Sequence, residues 1–410
     1  MLAMFSLSAD QWPVGTIKQD AASAGGALVY GKDGGRHGNA DVEIGMGENT
    51  GDMTTINSHF SRRRALHGQL REGLFGWLLL LISPILGADE SGGIQAAARG
   101  SLYYTDDVAI FSATRRLSLN ADPTQPALDD RLMGQGADGV FETALKLSRE
   151  FTSDYGKTRL DATGDGFIFM TKTQFTHGTL RLQARHEFTE KTALNFTYYF
   201  SPDLYLGENL VRQPVPALDM AQPETGPSAS EVLTSNILSL RLDQALTDNL
   251  VLQMLGRYGL RDYDPAFAER DLYLWTIGPH LEWSVSPELK WLVGYHFERG
   301  MADGRYQPWL ADDVSYDNNF VSTELEYEFI DSYQLTLGLH YELNDWLSQQ
   351  EEDERYGTYE NVYQGEVLLQ HDLNEDTRLY GGVQYSYRTV NTDFSDIANV
   401  NVSMGVEVKF

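Results

Sequence analysis

Residues 400–410 read VNVSMGVEVKF, and apolar side chains occupy every second position of this stretch. The apolar positions are Val400, Val402, Met404, Val406, Val408 and Phe410, whereas the positions between them are polar or glycine. Successive side chains of a β-strand point to opposite faces, so this alternation predicts a strand with one apolar and one polar face.

The same period of two recurs along the chain from Gly92 onward. We count fourteen segments with this pattern, and each is about as long as a tilted strand that crosses a bilayer. The predicted strands are 92–104, 139–152, 157–170, 177–188, 191–201, 232–246, 249–262, 271–285, 288–299, 318–330, 333–345, 358–373, 376–389 and 397–410.

The connections between these segments alternate in length. Long connections are predicted at 105–138, 202–231, 263–270, 300–317 and 346–357, and short turns separate most of the other neighbours. Membrane β-barrels have tight turns at one end and long loops at the other, whereas a soluble β-sandwich has no reason to sort its connections in this way. The sequence therefore predicts an all-β fold, a closed antiparallel transmembrane β-barrel of about 14 strands.

The composition is compatible with this fold and excludes several other classes. The 410 residues contain no cysteine, which removes disulfide scaffolds, thiolate metal sites and cysteine nucleophiles. A formal net charge of −28 makes the chain a poor partner for nucleic acid, because phosphate repels it. The mean hydropathy of −0.35 argues against a helical membrane protein but not against a barrel, whose apolar residues alternate with polar ones.

One apolar run interrupts the polar first part of the chain. Residues 74–86 read LFGWLLLLISPIL without a charge, arginines precede the run at 62–64, and Gly87 and Ala88 follow it. The run is too short to cross a bilayer as a helix, and its flanks describe a secretory signal peptide rather than a buried helix. The predicted organisation is a doubtful or disordered leader at 1–61, a signal peptide at 62–88, and the barrel at 89–410. A start assigned too early explains the leader, and the alternative is a real, poorly ordered extension.

The alternation that ends in an aromatic residue resembles the terminal assembly signal of Gram-negative outer-membrane proteins. The residues that carry this resemblance are Met404, Val406, Val408 and Phe410. The resemblance implies a barrel in the outer membrane, with short periplasmic turns and long extracellular loops. It also implies three partners, which are outer-membrane lipid, lipopolysaccharide and, during biogenesis, the barrel-assembly machinery.

The alternation also assigns charged side chains to the inside of the barrel. Predicted strands 1 to 7 point basic residues inward, namely Arg99, Lys146, Arg159, Arg181, Arg185, Arg241, Arg257 and Arg261. Predicted strands 8 to 12 point acidic residues inward, namely Glu282, Glu298, Glu324, Glu326, Glu328, Glu342 and Glu366. Opposed charges across a water-filled pore favour polar permeants, and general diffusion porins are similar in this respect. The alternative is that the charges pair across strands and fill a small barrel.

Two of the long connections carry clusters of charge. The first, 105–138, is a candidate constriction loop through Asp106, Asp107, Arg115 and Arg116, and the alternative is a surface loop that contacts lipopolysaccharide. The connection at 300–317 contains several aspartates, including Asp312 and Asp313, which we interpret as a solvated acidic face.

The function predicted from these features is a channel for passive diffusion of small polar or charged solutes, without enzymatic activity, cofactor or metal. A second hypothesis is a barrel that serves as a binding or assembly scaffold for a periplasmic or surface partner, and a third is a barrel enzyme that acts on lipid or peptide. His280, His296 and His340 face the lumen and could hold a metal if they were level, but hydrogen-bonded lumen histidines are the simpler interpretation. The oligomeric state stays open.

Overall fold

The computed structural model describes residues 93–115, 117, 122–127, 130–213, 224–392 and 396–410. The predicted leader at 1–61, the predicted signal peptide at 62–88 and the candidate constriction residue Arg116 lie outside the described residues.

Fourteen strands form one closed barrel in which each strand pairs with its neighbours in the sequence and β1 pairs with β14. All pairs are antiparallel, so the predicted fold class is confirmed. The strands are β1 (Gln95–Thr105), β2 (Asp138–Ser153), β3 (Gly156–Phe169), β4 (His177–Thr189), β5 (Thr192–Gln213), β6 (Glu224–Thr247), β7 (Leu250–Tyr263), β8 (Leu272–Ser284), β9 (Leu289–Ala302), β10 (Tyr316–Ile330), β11 (Tyr333–Trp346), β12 (Tyr359–Asp372), β13 (Thr377–Val390) and β14 (Ile397–Lys409).

The strand at 397–409 closes the barrel. Its pairing with β1 runs from Ala97 opposite Lys409 to Thr105 opposite Asn401, and the Phe410 amide donates to the Ala96 carbonyl at 2.7 Å. Closure leaves no unpaired strand edge. The predicted assembly-signal residues lie on the outward face here, with Met404 63% and Phe410 76% exposed, and their role in assembly stays a prediction.

The prediction of a loop at 202–231 was wrong in extent, because β5 continues to Gln213 and β6 begins at Glu224. Three register shifts between these strands, the first between Ser201 and Leu204, break the strict alternation from which the strands were predicted. The inward side chains Leu204 and Leu206 are nevertheless buried in a core cluster, which explains why the hairpin stays paired beyond the rest of the barrel.

Short turns lie at one end of the barrel, which we call the turn end, and long connections lie at the other, the loop end. The loop end carries the helix α1 (Val108–Thr114) and short 3₁₀ helices such as Pro265–Arg270 and Pro308–Leu310. Among the described residues, no helix is both long enough and apolar enough to cross a bilayer.

The barrel is apolar outside and polar inside, the reverse of a soluble protein. Leu339 in the middle of β11 is 66% exposed, and large apolar side chains such as Leu145 and Ile277 are exposed on other strands. Polar lumen residues such as Ser322 and Thr276 are buried. Because a soluble protein does not expose so continuous an apolar surface, the outer face is a surface for lipid.

We expect Leu339→Arg to lower the free energy of unfolding by roughly 2–4 kcal/mol, the cost of a basic side chain on the lipid face at mid-membrane. The measurement is reversible denaturant unfolding of the barrel in lipid vesicles. The control is Leu339→Ala, which removes apolar surface without adding charge. Equal losses for the two variants would contradict the lipid-facing position of Leu339.

Candidate functional site

The first connection folds into the lumen, and we call its residues 106–137 the inner loop. Its helix α1 places Phe111 against the lumen-facing rings of Tyr103, Phe167 and Phe169, with ring centroids 5.4, 6.5 and 5.9 Å apart. Phe111, Phe167 and Phe169 are each at most 2% exposed. The inner loop is therefore held against the wall of the barrel from inside, which favours the constriction hypothesis over the surface-loop alternative.

Asp106 and Asp107 fix the base of the inner loop. The buried Asp107 carboxylate accepts hydrogen bonds from the amides of Gly134 at 2.7 Å and Gln135 at 3.1 Å, so the two ends of the loop meet. Burial raises the pKa of Asp107, although these amide bonds oppose the shift. Asp106 accepts from the Val400 amide at 2.9 Å. Both predicted constriction residues thus position the loop rather than facing the cavity.

The far part of the inner loop crosses to the opposite wall. Arg261 on β7 donates from Nη2 to the carbonyls of Pro123 at 3.2 Å and Gln125 at 2.9 Å, and it is 1% exposed. Ser235 on β6 donates to the Thr124 carbonyl at 2.8 Å. On β12, Gln364 donates to the Leu117 carbonyl at 3.2 Å. Because the inner loop contacts both sides of the barrel wall, it crosses the lumen from one side to the other.

A polar cavity of about 530 Å³ lies beside the inner loop. Its lining includes Arg99, Arg115 and Arg181 on one side and Glu366, Gln384 and Asn401 on the other. A second cavity of about 110 Å³ shares Arg181 and Tyr199 with the first and adds Arg241, Arg257 and His280. Water-accessible space with charged walls therefore remains inside the barrel despite the loop.

Arg115 is the candidate constriction residue that faces this space. Its guanidinium lies 4.2 Å from the centroid of the Phe167 ring and 3.5 Å from the Glu142 carboxylate. Arg99 pairs with the same carboxylate and lies 3.4 Å from Asp165. Glu142 on β2 thus pairs with Arg115 of the inner loop and with Arg99 on the neighbouring strand β1.

All eight predicted basic residues lie at lumen-facing positions of β1–β4, β6 and β7, but acidic neighbours pair with most of them. Lys146 and Arg159 lie 3.5 and 3.0 Å from Asp161, and Arg185 and Arg241 share Asp243. Arg261 serves as the loop anchor. Arg181 and Arg257 are different, because neither forms an ion pair within the described ranges of the chain.

The predicted acidic residues lie at lumen-facing positions of β8–β12, in three different situations. Glu282 and Glu326 lie 3.3 and 3.5 Å from the ammonium of Lys290, while Glu328 is exposed at the turn end. Glu298 accepts from the hydroxyl of Tyr316 at 2.7 Å, and Glu342 is buried. Glu324 and Glu366 converge with His340. The two walls therefore differ in sign less strongly than the sequence alone indicated.

The three lumen histidines do not share one set of contacts. The rings of His280 and His296 are in direct contact through their Nε2 atoms, whereas His340 turns toward Ser322 and Glu366. These contacts agree with the simpler interpretation of hydrogen-bonded lumen histidines, and His340 pairs in register with Ser322 on β10 and Gln364 on β12.

Above the lumen, buried ion pairs join the loop-end connections into a cap network. At its centre Asp312, which is fully buried, accepts two hydrogen bonds from Arg270 at 2.8 and 2.9 Å and one from Arg355 at 2.9 Å. Arg270 also binds both oxygens of Glu231 on β6. Glu354 extends the network to Arg131 of the inner loop at 2.9 Å and to Arg212 of β5 at 2.6 Å.

The interpretation of 300–317 as a solvated acidic face was therefore wrong for Asp312 and Asp313, which are at most 3% exposed. Burial alone would raise the pKa of Asp312, but Arg270 and Arg355 outweigh burial and hold it well below its usual range. Burial raises the pKa of the adjacent Glu269 to about 7, and the Asp312 carboxylate adds to this shift. Sequence reasoning missed the network because its partners come from four separate connections and from the loop-end parts of β5 and β6.

Comparison with solved structures finds other barrels at low sequence identity. An anion-selective porin from Comamonas acidovorans is 9% identical with a TM-score of 0.41, and the match covers 78% of this chain and 99% of that one. The outer membrane channel DcaP of Acinetobacter baumannii is 10% identical with a TM-score of 0.43, covering 78% and 97%. OmpT, an outer membrane protein of Vibrio cholerae, is 12% identical with a TM-score of 0.41, covering 79% and 99%.

No protein-family model matches the chain, and the comparison with curated proteins finds no relative of it. The geometry itself defines the candidate site as the charged lumen of a membrane β-barrel, narrowed by the inner loop and covered by the cap network.

Proposed function

We propose that this chain is an outer-membrane channel of a Gram-negative bacterium through which small polar or charged solutes diffuse. The observation that carries the proposal is the polar cavity of about 530 Å³ inside a barrel whose outer surface is apolar. A polar interior and a lipid-facing exterior are what a diffusion channel needs. In the orientation that is usual for outer-membrane barrels, the turn end faces the periplasm and the loop end faces the outside of the cell.

The strand number and the inner loop limit the size of the solute. Fourteen strands lie between eight-stranded barrels, which side chains fill, and sixteen-stranded porins, which leave a channel. The inner loop narrows this lumen by contacting β6, β7 and β12 from inside. We infer that the channel admits solutes about the size of the small molecules that bind in protein pockets of roughly 300–1,000 Å³.

The charges that line the cavities give the channel a preference for solutes with a negative group. Arg181 lines both cavities, Arg257 lines the smaller one, and neither has an ion-pair partner among the residues that the structure describes. At the turn end, Lys290 offsets part of the negative charge of Glu282 and Glu326. An unpaired cation in a narrow polar passage attracts anions and repels cations.

Planar-bilayer recording of the purified barrel tests the proposal. We expect reproducible open-channel steps. Under a salt gradient we also expect the anion-to-cation permeability ratio to fall severalfold after Arg181→Glu, because the substitution reverses the charge of a side chain that lines both cavities.

Arg299→Glu is the matched control for this charge reversal. Arg299 faces outward on β9, where it pairs with Asp317, so the same change of charge lies outside the passage. We expect the permeability ratio of this variant to match that of the unmodified barrel. Absence of steps from a correctly folded sample would overturn the channel, and equal shifts for both variants would overturn the assignment of Arg181 to the passage.

A further inference from the structure

Three potential metal ligands meet on the lumen side of β10, β11 and β12. The carboxylates of Glu324 and Glu366 and the imidazole of His340 each offer an atom, and these atoms all lie within 4.8 Å of one another. His340 and Glu324 are at most 5% exposed. We propose that Glu324, His340 and Glu366 bind a divalent transition-metal ion, with Zn²⁺ as the expected occupant.

Strand register brings the two carboxylates together. Glu324 on β10 and Glu366 on β12 both pair with Gly338 on β11, so they flank the same position from either side. A Cβ at Gly338 would lie 2.6 Å from Cγ of Glu366 and 2.8 Å from Nε2 of His340. Because glycine leaves this volume free, the three polar groups can converge there. Two neighbouring carboxylates repel each other, and a shared cation relieves that repulsion.

His340 is oriented as a ligand. Its Nδ1 lies 2.6 Å from the hydroxyl of Ser322 on β10, and its ring stacks on Phe320 with an interplanar angle of 10°. Its Nε2 points toward Glu366 at 3.2 Å. Metal-binding histidines commonly donate their second ring N–H to such an outer partner, which fixes the ring and the tautomer. In the tautomer whose Nδ1–H donates to Ser322, the lone pair of Nε2 can bind the ion in place of the present contact with Glu366.

The ligand set indicates the type of ion. One imidazole nitrogen with two carboxylate oxygens suits Zn²⁺, whereas Ca²⁺ and Mg²⁺ prefer oxygen ligands alone. Ligands bound about 2 Å from one ion lie closer together than 4.8 Å, so small rotamer changes complete the site. Glu366 also lines the large cavity, so an ion bound there would be accessible to solvent and solutes in the lumen.

Zinc titration calorimetry on the full-length barrel in detergent micelles tests this proposal without requiring channel activity. We expect one Zn²⁺ per chain, and binding at least about tenfold weaker in each of His340→Asn and Glu366→Gln. Co²⁺ provides a second readout, because its absorption spectrum reports a nitrogen ligand that His340→Asn removes. Folding of every variant is checked by its heat-dependent mobility in electrophoresis.

Two matched controls carry the same substitutions away from the site. His371→Asn changes a histidine that stacks on Tyr333 near the turn end, and Glu407→Gln changes a glutamate on β14. Zinc affinity unchanged in both controls supports the proposal. No binding to the unmodified barrel, equal weakening in site and control variants, or displacement of Zn²⁺ by an equal concentration of Ca²⁺ would overturn it. Because none of these outcomes depends on conductance, failure of the zinc site is distinguishable from failure of the proposed channel.

Discussion

Replacing residues 109–132 by three glycines is expected to raise the open-channel conductance severalfold. The excision removes the part of the inner loop that crosses the lumen and that Arg261, Ser235 and Gln364 hold in place. A short linker suffices because Asp107 already binds the amides of Gly134 and Gln135, so the remaining ends are adjacent. The conductance of a water-filled pore follows its narrowest cross-section, and removing a loop that crosses the lumen widens the passage. Single-channel recording in planar bilayers measures the change.

A milder variant tests whether the conductance depends on the position of the inner loop, because it leaves the loop itself in the chain. Arg261→Met removes the hydrogen bonds to Pro123 and Gln125 while the loop sequence stays intact. We expect a smaller increase in conductance with more frequent transitions between levels, because the loop loses one of its anchors. Unchanged conductance in the excised barrel, with its strand content intact by circular dichroism, would contradict a constriction at this loop.

Asp312→Asn is expected to cost about 3–5 kcal/mol of the local stability of the cap network, the typical cost of leaving buried charges unpaired. Arg270 and Arg355 would each lose an ionic partner in a site where Asp312 is fully buried, while Glu231 and Asp353 would remain to pair with them. Faster hydrogen exchange in 265–270, 303–315 and 350–358 measures the effect. Apart from the loop-end parts of β5 and β6, which carry Arg212 and Glu231, the barrel strands should exchange as before, because the rest of the network lies in the connections.

Asp317→Asn is the matched control for the cap. Asp317 pairs with Arg299, whose side chain is 42% exposed, and such surface pairs contribute about 0–1 kcal/mol. Exchange in the three loop segments should stay close to that of the unmodified barrel. Similar exchange in Asp312→Asn and Asp317→Asn would contradict a central role for Asp312.

The cap should also resist acid. The folded pKa of Asp312 is depressed, so its contribution to stability is fully present above the unfolded value of about 3.9. That contribution is lost only as the pH falls through the lower folded pKa. The network centred on Asp312 therefore persists in mildly acidic surroundings.

The sequence could predict the strand ladder because each strand shows its own period of two. The extra length of β5 and β6 was hidden by the bulges near Ser201 and Leu204, which interrupt that period. The inward path of the inner loop depends on distant anchors such as Arg261, which no local pattern reveals. The register that places Glu324 opposite Gly338 could not be read from the tight turn between Ile330 and Tyr333, because a bulge between Glu328 and Ile330 shifts the pairing by one residue.

The seam between β1 and β14 has a consequence for the order of events during biogenesis. Its partners, such as Ala97 and Lys409, lie at opposite ends of the strand ladder, so no local hairpin can form it. Pairings between such distant segments form late, because the entropy of loop closure opposes them. Until β14 arrives, the sheet has two open edges that can pair with other chains. Chains that lack β14 are therefore expected to aggregate. Their open sheet edges also distinguish them from the closed barrel, which gives quality control in the cell a feature to recognise.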